Sequence, residues 1–248
     1  MTLPLDVYLG HLRADGAAVA AAAGRDLAAA VPGCPGWTAT DLLQHLGQVH
    51  RWTEHIVRTN ADRPMSRSAT PPPPEGAELV EWFATGVELL ASTFEKADPG
   101  GPAWNWSGEE QTISWWPRRM TQETAVHRWD AQQAVGETPS PIDTAMGVDG
   151  VDELFDVILP RRPDNGPFTP DGATVHLHAT DAEGEWLLRF AGTTVEVSRG
   201  HAKGDAALRG PAGDLLLFLW KRLPPDAPGF EVFGDASVLD NWVEQTRL

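Results

Sequence analysis

Cysteine is almost missing: Cys34 stands alone in 248 residues, so no intramolecular disulfide can form. That fits a reducing compartment rather than a secreted, disulfide-stapled fold. Basic runs are missing as well. Nineteen Lys and Arg face thirty-five Asp and Glu, for a formal net charge of −16. So acidic a chain repels phosphate backbones and anionic lipid, which argues against a nucleic-acid or membrane-surface partner. Long apolar runs are also lacking. The Ala-rich stretch from Gly16 to Val31 is too short, and too interrupted by Arg25 and Asp26, to span a bilayer. The opening MTLPLDVYLGHLRADG has no basic segment followed by an apolar one, so no signal peptide is expected and the protein is read as cytosolic. There is no internal repeat.

What is present is an ordinary globular balance, 42% hydrophobic and 22% charged, enough for a real core. The length suits two medium domains or one large one. The eleven tryptophans supply bulk for core and pocket walls.

The first half reads as helices. Leu5 to Ala30 is Ala-rich with Leu and Val at helical spacing. Pro32, Gly33, Pro35 and Gly36 break the chain. A second helix is expected from Thr40 to Thr59, with Thr38 or Thr40 as N-cap and Asp41 in the first turn. Arg63 to Gly76, with prolines at 71 to 74, is a connector. A third helix runs from Ala77 to Lys96 with Leu79, Trp82, Phe83, Leu89, Leu90 and Phe94 as its apolar stripe. A Trp-rich loop (Trp104, Trp106, Trp115, Trp116) leads to a fourth helix, from Pro117 to Val135, stopped by Gly136. Four helices with one long crossover make a bundle.

The second half alternates. Val175, Leu177 and Ala179 lie on one face of a strand with His176 and His178 on the other; Trp186, Leu188 and Phe190 alternate, as do Val195 and Val197. Turns at Asp181 to Gly184 and Ala191-Gly192 join antiparallel strands. Leu215 to Arg222 is an apolar helix, Phe230 to Phe233 a short strand, and Ala236 to Gln245 a last helix. The boundary falls in Glu137 to Val148. The expected class is α+β: a helical bundle over residues 1–140, then a small α+β domain with an antiparallel sheet over 149–248.

Three polar residues stand out within the bundle. Glu123 and His127 are four apart, hence on one helix face. His45 sits among Leu42, Leu43, Leu46 and Val49, on the inward edge of its helix. Two antiparallel helices can bring these together, and two imidazoles, a carboxylate and an open position match catalytic zinc. An E-x-x-x-H pair alone is weak, since most are surface hydrogen bonds, and a lone His on an apolar face is commonly a satisfied core residue. His50 competes with His45 but points about 140° away round an ideal helix. His176 and His178, at i and i+2, can chelate a metal; the commoner use of such a pair is the exposed face of an edge sheet. Cys34 reads as a packed residue at a turn; a nucleophilic role would need a nearby base, and residue order identifies none.

The string CPGWTATDLLQHLGQVHRW (Cys34 to Trp52), followed by TQETAVHRWDAQQAVG (Thr121 to Gly136), resembles the mycothiol-dependent maleylpyruvate isomerase family, whose N-terminal half is a DinB-like metal-binding four-helix bundle. The resemblance covers essentially the whole chain. It implies zinc on His45, which follows Trp37 by eight residues, and on Glu123 and His127. It also implies mycothiol as thiol cosubstrate. A metal-held thiolate adds to the cis double bond of maleylpyruvate, rotation follows, and elimination returns the trans isomer; a relative that stops at the adduct is a thiol transferase. Arg222 matches an arginine that holds a substrate carboxylate in the family, a use suited to its forked donors; the alternative is a helix C-terminal Arg favoured by the macrodipole. Arg118 and Arg119 open the metal helix, where positive charge is locally unfavourable and an anionic cofactor is a natural partner. Asp130, three residues after His127, can orient its ring; the alternative is a surface ion pair with Arg51 or Arg128. The expected partners are a small-molecule substrate and a thiol, on a monomer or homodimer. The alternative is a non-catalytic DinB-like protein that binds a metal or small molecule.

Overall fold

The computed structural model describes residues 2–161 and 166–246. They divide into two compact units, one ending at Ser140 and the other beginning at Pro141. The expected domain limits at Met1 and Leu248 fall outside the described residues. Among the described residues no helix is long and apolar enough to cross a membrane.

The first unit holds α1 (Leu5–Ala23), α2 (Ala39–Arg58), α3 (Glu78–Lys96) and α4 (Trp115–Ala134). α1 packs chiefly on α4, and α2 on α3. α1 stops seven residues earlier than its alanines suggest. Gly24 weakens the helix there. Beyond it the Leu27 and Ala29 carbonyls accept from the Thr40 and Ala39 amides, so residues 27–40 close into a loop. That loop returns Cys34 and Trp37 to the start of α2. Thr38, not Thr40, caps α2: its hydroxyl accepts from the Asp41 amide while the Asp41 carboxylate accepts from the Thr38 amide. The buried side of α3 is Leu79, Phe83, Val87, Leu90, Ala91 and Phe94. Leu89, placed in the stripe by sequence, is exposed because the buried line runs 83–87–90–94 and leaves it on the flank.

In the second unit the described strands are β1 (Thr174–Ala179), β2 (Glu185–Ala191), β3 (Thr194–Arg199), β4 (Ala206–Gly210) and β5 (Glu231–Gly234). Their order is β3-β2-β1-β4-β5, antiparallel throughout except for the parallel pair β1 and β4. The β2–β3 hairpin supplies the long connection that a parallel pair requires. Val175, Leu177, Trp186, Leu188, Phe190 and Leu208 form the inner face, buried together with Leu215 to Leu219 of α6 (Ala212–Leu219).

Two elements appear here that residue order did not announce, and two expectations change. Thr144–Glu153 is a helix, α5, capped by the Asp143 carboxylate and starting inside the expected boundary stretch, Glu137 to Val148. Gly147 and Gly150 are poor helix formers, but packing on α6 overrides propensity: a Cβ on Gly147 would lie 2.4 Å from the Gly213 nitrogen. β4, Ala- and Gly-rich, has no strand signature of its own and takes its conformation from β1 and β5. α6 ends at Leu219 rather than Arg222, because Lys221 adopts φ 62° and the Lys221 and Arg222 amides bond back to the Phe218 and Leu217 carbonyls. The expected last helix is a 3-10 turn, Ala236–Val238, and a π turn, Asn241–Gln245.

Candidate metal centre

α4 is an unusual helix. It is buried on nearly every side, yet Arg119, Thr121, Gln122, Thr124, His127, Arg128, Asp130 and Gln132 are among its buried residues. Charged side chains are seldom fully buried unless partnered, and the partners explain this helix. The Arg128 Nε lies 2.8 Å from the Asp15 carboxylate on α1, and its Nη1 donates to Gln132 and to the Ser140 carbonyl. That network ties α4 to α1 and to the chain that follows it.

On the face so presented, His45 from α2 meets Glu123 and His127 from α4. The His45 Nε2 is 3.2 Å from Glu123 Oε1. One donor atom from each of the three lies within 4.8 Å of the other two. The His45 and His127 rings stand edge to face, 5.5 Å apart. The Nδ1 of His127 faces Asp130 Oδ2 at 3.0 Å, which leaves Nε2 for the centre. Asp130 is fully buried rather than at the surface. Burial opposes a charge on Glu123, but the hydrogen bond from His45 and the nearby Arg119 outweigh it and hold the carboxyl down at about 2. It is therefore ionised at neutral pH.

His50 turns away. It is completely buried, its Nε2 donates to Thr124 Oγ1 at 2.9 Å, and its ring stacks on Phe83. Burial pushes its pKa down to about 4, so it stays neutral.

Arg119 is buried with its Nε 3.5 Å from Glu123 Oε2, directed at the glutamate of the centre. Arg118 is half-buried at the start of α4. Arg222 belongs to the second unit, just past α6, where its Nη1 donates to the Trp220 carbonyl.

The tryptophans that precede and open α4 pack on one another. Trp104, Trp115 and Trp116 stack with Trp52 in an edge-to-face chain and fill the core, with Trp106 at its exposed end. The ring against the centre is Trp37, 4.9 Å from His45 and 6.2 Å from His127. Cys34 is brought there too, its Sγ 3.6 Å from Asp130 Oδ2. Residue order could not identify this partner, because it lies 96 residues away along the chain. The only signal was the helical spacing of Asp130 from His127.

Comparison with known proteins identifies both units. The mycothiol maleylpyruvate isomerase N-terminal domain model matches residues 9–132, and the C-terminal domain model of the same family matches residues 146–241. Among solved structures, the crystal structure of the mycothiol-dependent maleylpyruvate isomerase superposes with a TM-score of 0.62 at 13% identity, covering 94% of this chain and 95% of that one. A histidine-to-alanine mutant of that enzyme matches equally well. No curated protein sequence matches. Both units are thus matched in order, over most of the chain, by the two domain models of a single family: the chain belongs to the mycothiol-dependent maleylpyruvate isomerase family.

Proposed function

We propose that the chain is a zinc-dependent enzyme that uses mycothiol to isomerise, or to add a thiol to, a small electrophilic carboxylate. The observation that carries this is the convergence of His45, Glu123 and His127 from two helices. Their chemistry fits zinc. The 3.2 Å between His45 and Glu123 is close to the distance of about 3.4 Å between neighbouring ligands of a tetrahedral ion with bonds of about 2.0–2.1 Å. Two imidazoles and one carboxylate leave one of four places for a further ligand. When bound, zinc would hold a thiol sulfur there as thiolate at neutral pH.

The chain's own residues do the rest. Asp130 orients the His127 ring and strengthens it as a donor. Arg119 keeps Glu123 ionised and turned to the centre. Trp37 covers one side and limits water. Arg118, at the mouth of α4, is assigned to an anionic part of the thiol cofactor. Arg222 is assigned, on the family resemblance, to the substrate carboxylate.

The test is spectroscopic and then kinetic. A cobalt-loaded sample should shift its visible bands on adding mycothiol, and His127→Ala should abolish the shift. Mycothiol-dependent conversion of maleylpyruvate to its trans isomer, set against a panel of other electrophiles, then separates isomerase from transferase. No band shift and no thiol-dependent turnover would leave a binding protein instead.

A further inference from the structure

A second cluster of metal-ligating side chains lies on the sheet of the second unit. β1 is not an edge strand: β2 and β4 flank it. Its outward face carries His176 and His178, away from Val175, Leu177 and Ala179. Glu185 of β2 sits directly opposite His178 in the antiparallel register. Gly200, at φ 108°, turns the chain after β3, its amide bonding to the Glu185 carbonyl, and this returns His201 to the same spot.

Three imidazoles thereby surround one carboxylate. His178 Nδ1 lies 2.7 Å from Glu185 Oε1, His201 Nδ1 lies 3.0 Å from Oε2, and His176 Nε2 lies 3.6 Å from Oε2. Donor atoms of His176, Glu185 and His201 all fall within 4.8 Å of one another. His176 is only 5% exposed, and its Nε2 has no hydrogen-bond partner. Its nearest acceptor, Glu185 Oε2, stands beyond hydrogen-bond length at 3.6 Å, so the buried nitrogen is poorly satisfied and a cation between the two would satisfy both. The nitrogen points at the cluster. The spacings of 3.0 and 3.6 Å bracket the distance of about 3.4 Å between adjacent ligands of a tetrahedral zinc ion.

We propose that His176, Glu185 and His201 form a second divalent-cation site, suited to zinc, with His178 holding the far oxygen of Glu185 in place. The donor set is two imidazoles and one carboxylate, with a fourth place for water or an incoming ligand. His178 acts on the ion through Glu185, the way outer partners orient metal-bound carboxylates. The site draws on no residue of the bundle.

The full-length protein, stripped with chelator and titrated with Zn²⁺ against a chromophoric competitor, tests this. Wild type should take up one equivalent more than His201→Ala, and His178→Ala should weaken that equivalent about 10- to 100-fold. The His201 side chain is 82% exposed, so its loss leaves the fold intact, which circular dichroism checks. Glu185→Gln, of the same shape, should lose the same equivalent. His127→Ala reports the bundle centre separately, and the double variant His127→Ala/His201→Ala should bind none. If His201→Ala and Glu185→Gln both take up as much zinc as wild type, with unchanged affinity, the second site does not exist, whatever His127→Ala does.

Discussion

A buried imidazole makes this fold sensitive to acid. The pKa of His50 is about 4 in the fold, against an unfolded value of about 6.5, so the unfolded chain binds its proton first. Its contribution is complete above pH 6.5 and is lost as the pH falls toward 4. At most about 3 kcal/mol is at stake over that window, from about 1.4 kcal/mol per pH unit. The urea midpoint of wild type should therefore fall between pH 6.5 and 4, and His50→Gln should fall less steeply; parallel curves would refute this. Asp130 matters differently, through the His127 ring. Asp130→Asn keeps the shape and removes the charge, and should lower zinc affinity about 10- to 100-fold in a chelator competition. Arg222→Lys tests the remaining assignment: loss of the forked donors should lower kcat/KM about 10- to 100-fold, equivalent to about 1.5–3 kcal/mol for a hydrogen bond to a charged group. An unchanged kcat/KM would return Arg222 to its helix-end carbonyl.

Between elements, close approach is set by glycines. A Cβ on Gly47, two residues after His45, would fall 2.3 Å from the Trp82 ring of α3. That ring is also held by the Arg51 guanidinium, 4.5 Å from its centroid, so it cannot swing freely. Gly47→Ala should cost about 1–3 kcal/mol in denaturant unfolding. Gly10, within α1, has nothing within 4 Å of where its Cβ would be. Gly10→Ala should stabilise by up to about 1 kcal/mol, the helix propensity alone. If the two substitutions behaved alike, the packing account of α2 against α3 would be wrong.

At the scale of the molecule, each unit carries its own set of metal-type donors, and an ion bound only to the native state adds to its stability. At a thousandfold excess of free zinc over Kd, that amounts to about 4 kcal/mol per site. Chelation should lower the melting temperature of wild type, and His127→Ala should remove the share belonging to the bundle. The net charge of −16 favours the cation at both places and weakens with salt.

Much of this was legible from residue order because it is local. The period of Leu42, Leu43, Leu46 and Val49 placed His45 toward the bundle interior, and the spacing of Glu123, His127 and Asp130 put three polar groups on one side of α4. Helix and hairpin positions followed from the same periodicities. What residue order did not determine depends on neighbours distant in sequence. Thr144–Glu153 became helical through contact with α6, and Ala206–Gly210 became a strand between β1 and β5. Cys34 met Asp130 only when the 27–40 loop closed. His176 looked like an exposed residue at an edge until β4 paired with β1 and the turn at Gly200 brought His201 over it. Periodicity reports which way a side chain faces on its own element; only tertiary packing decides what it faces.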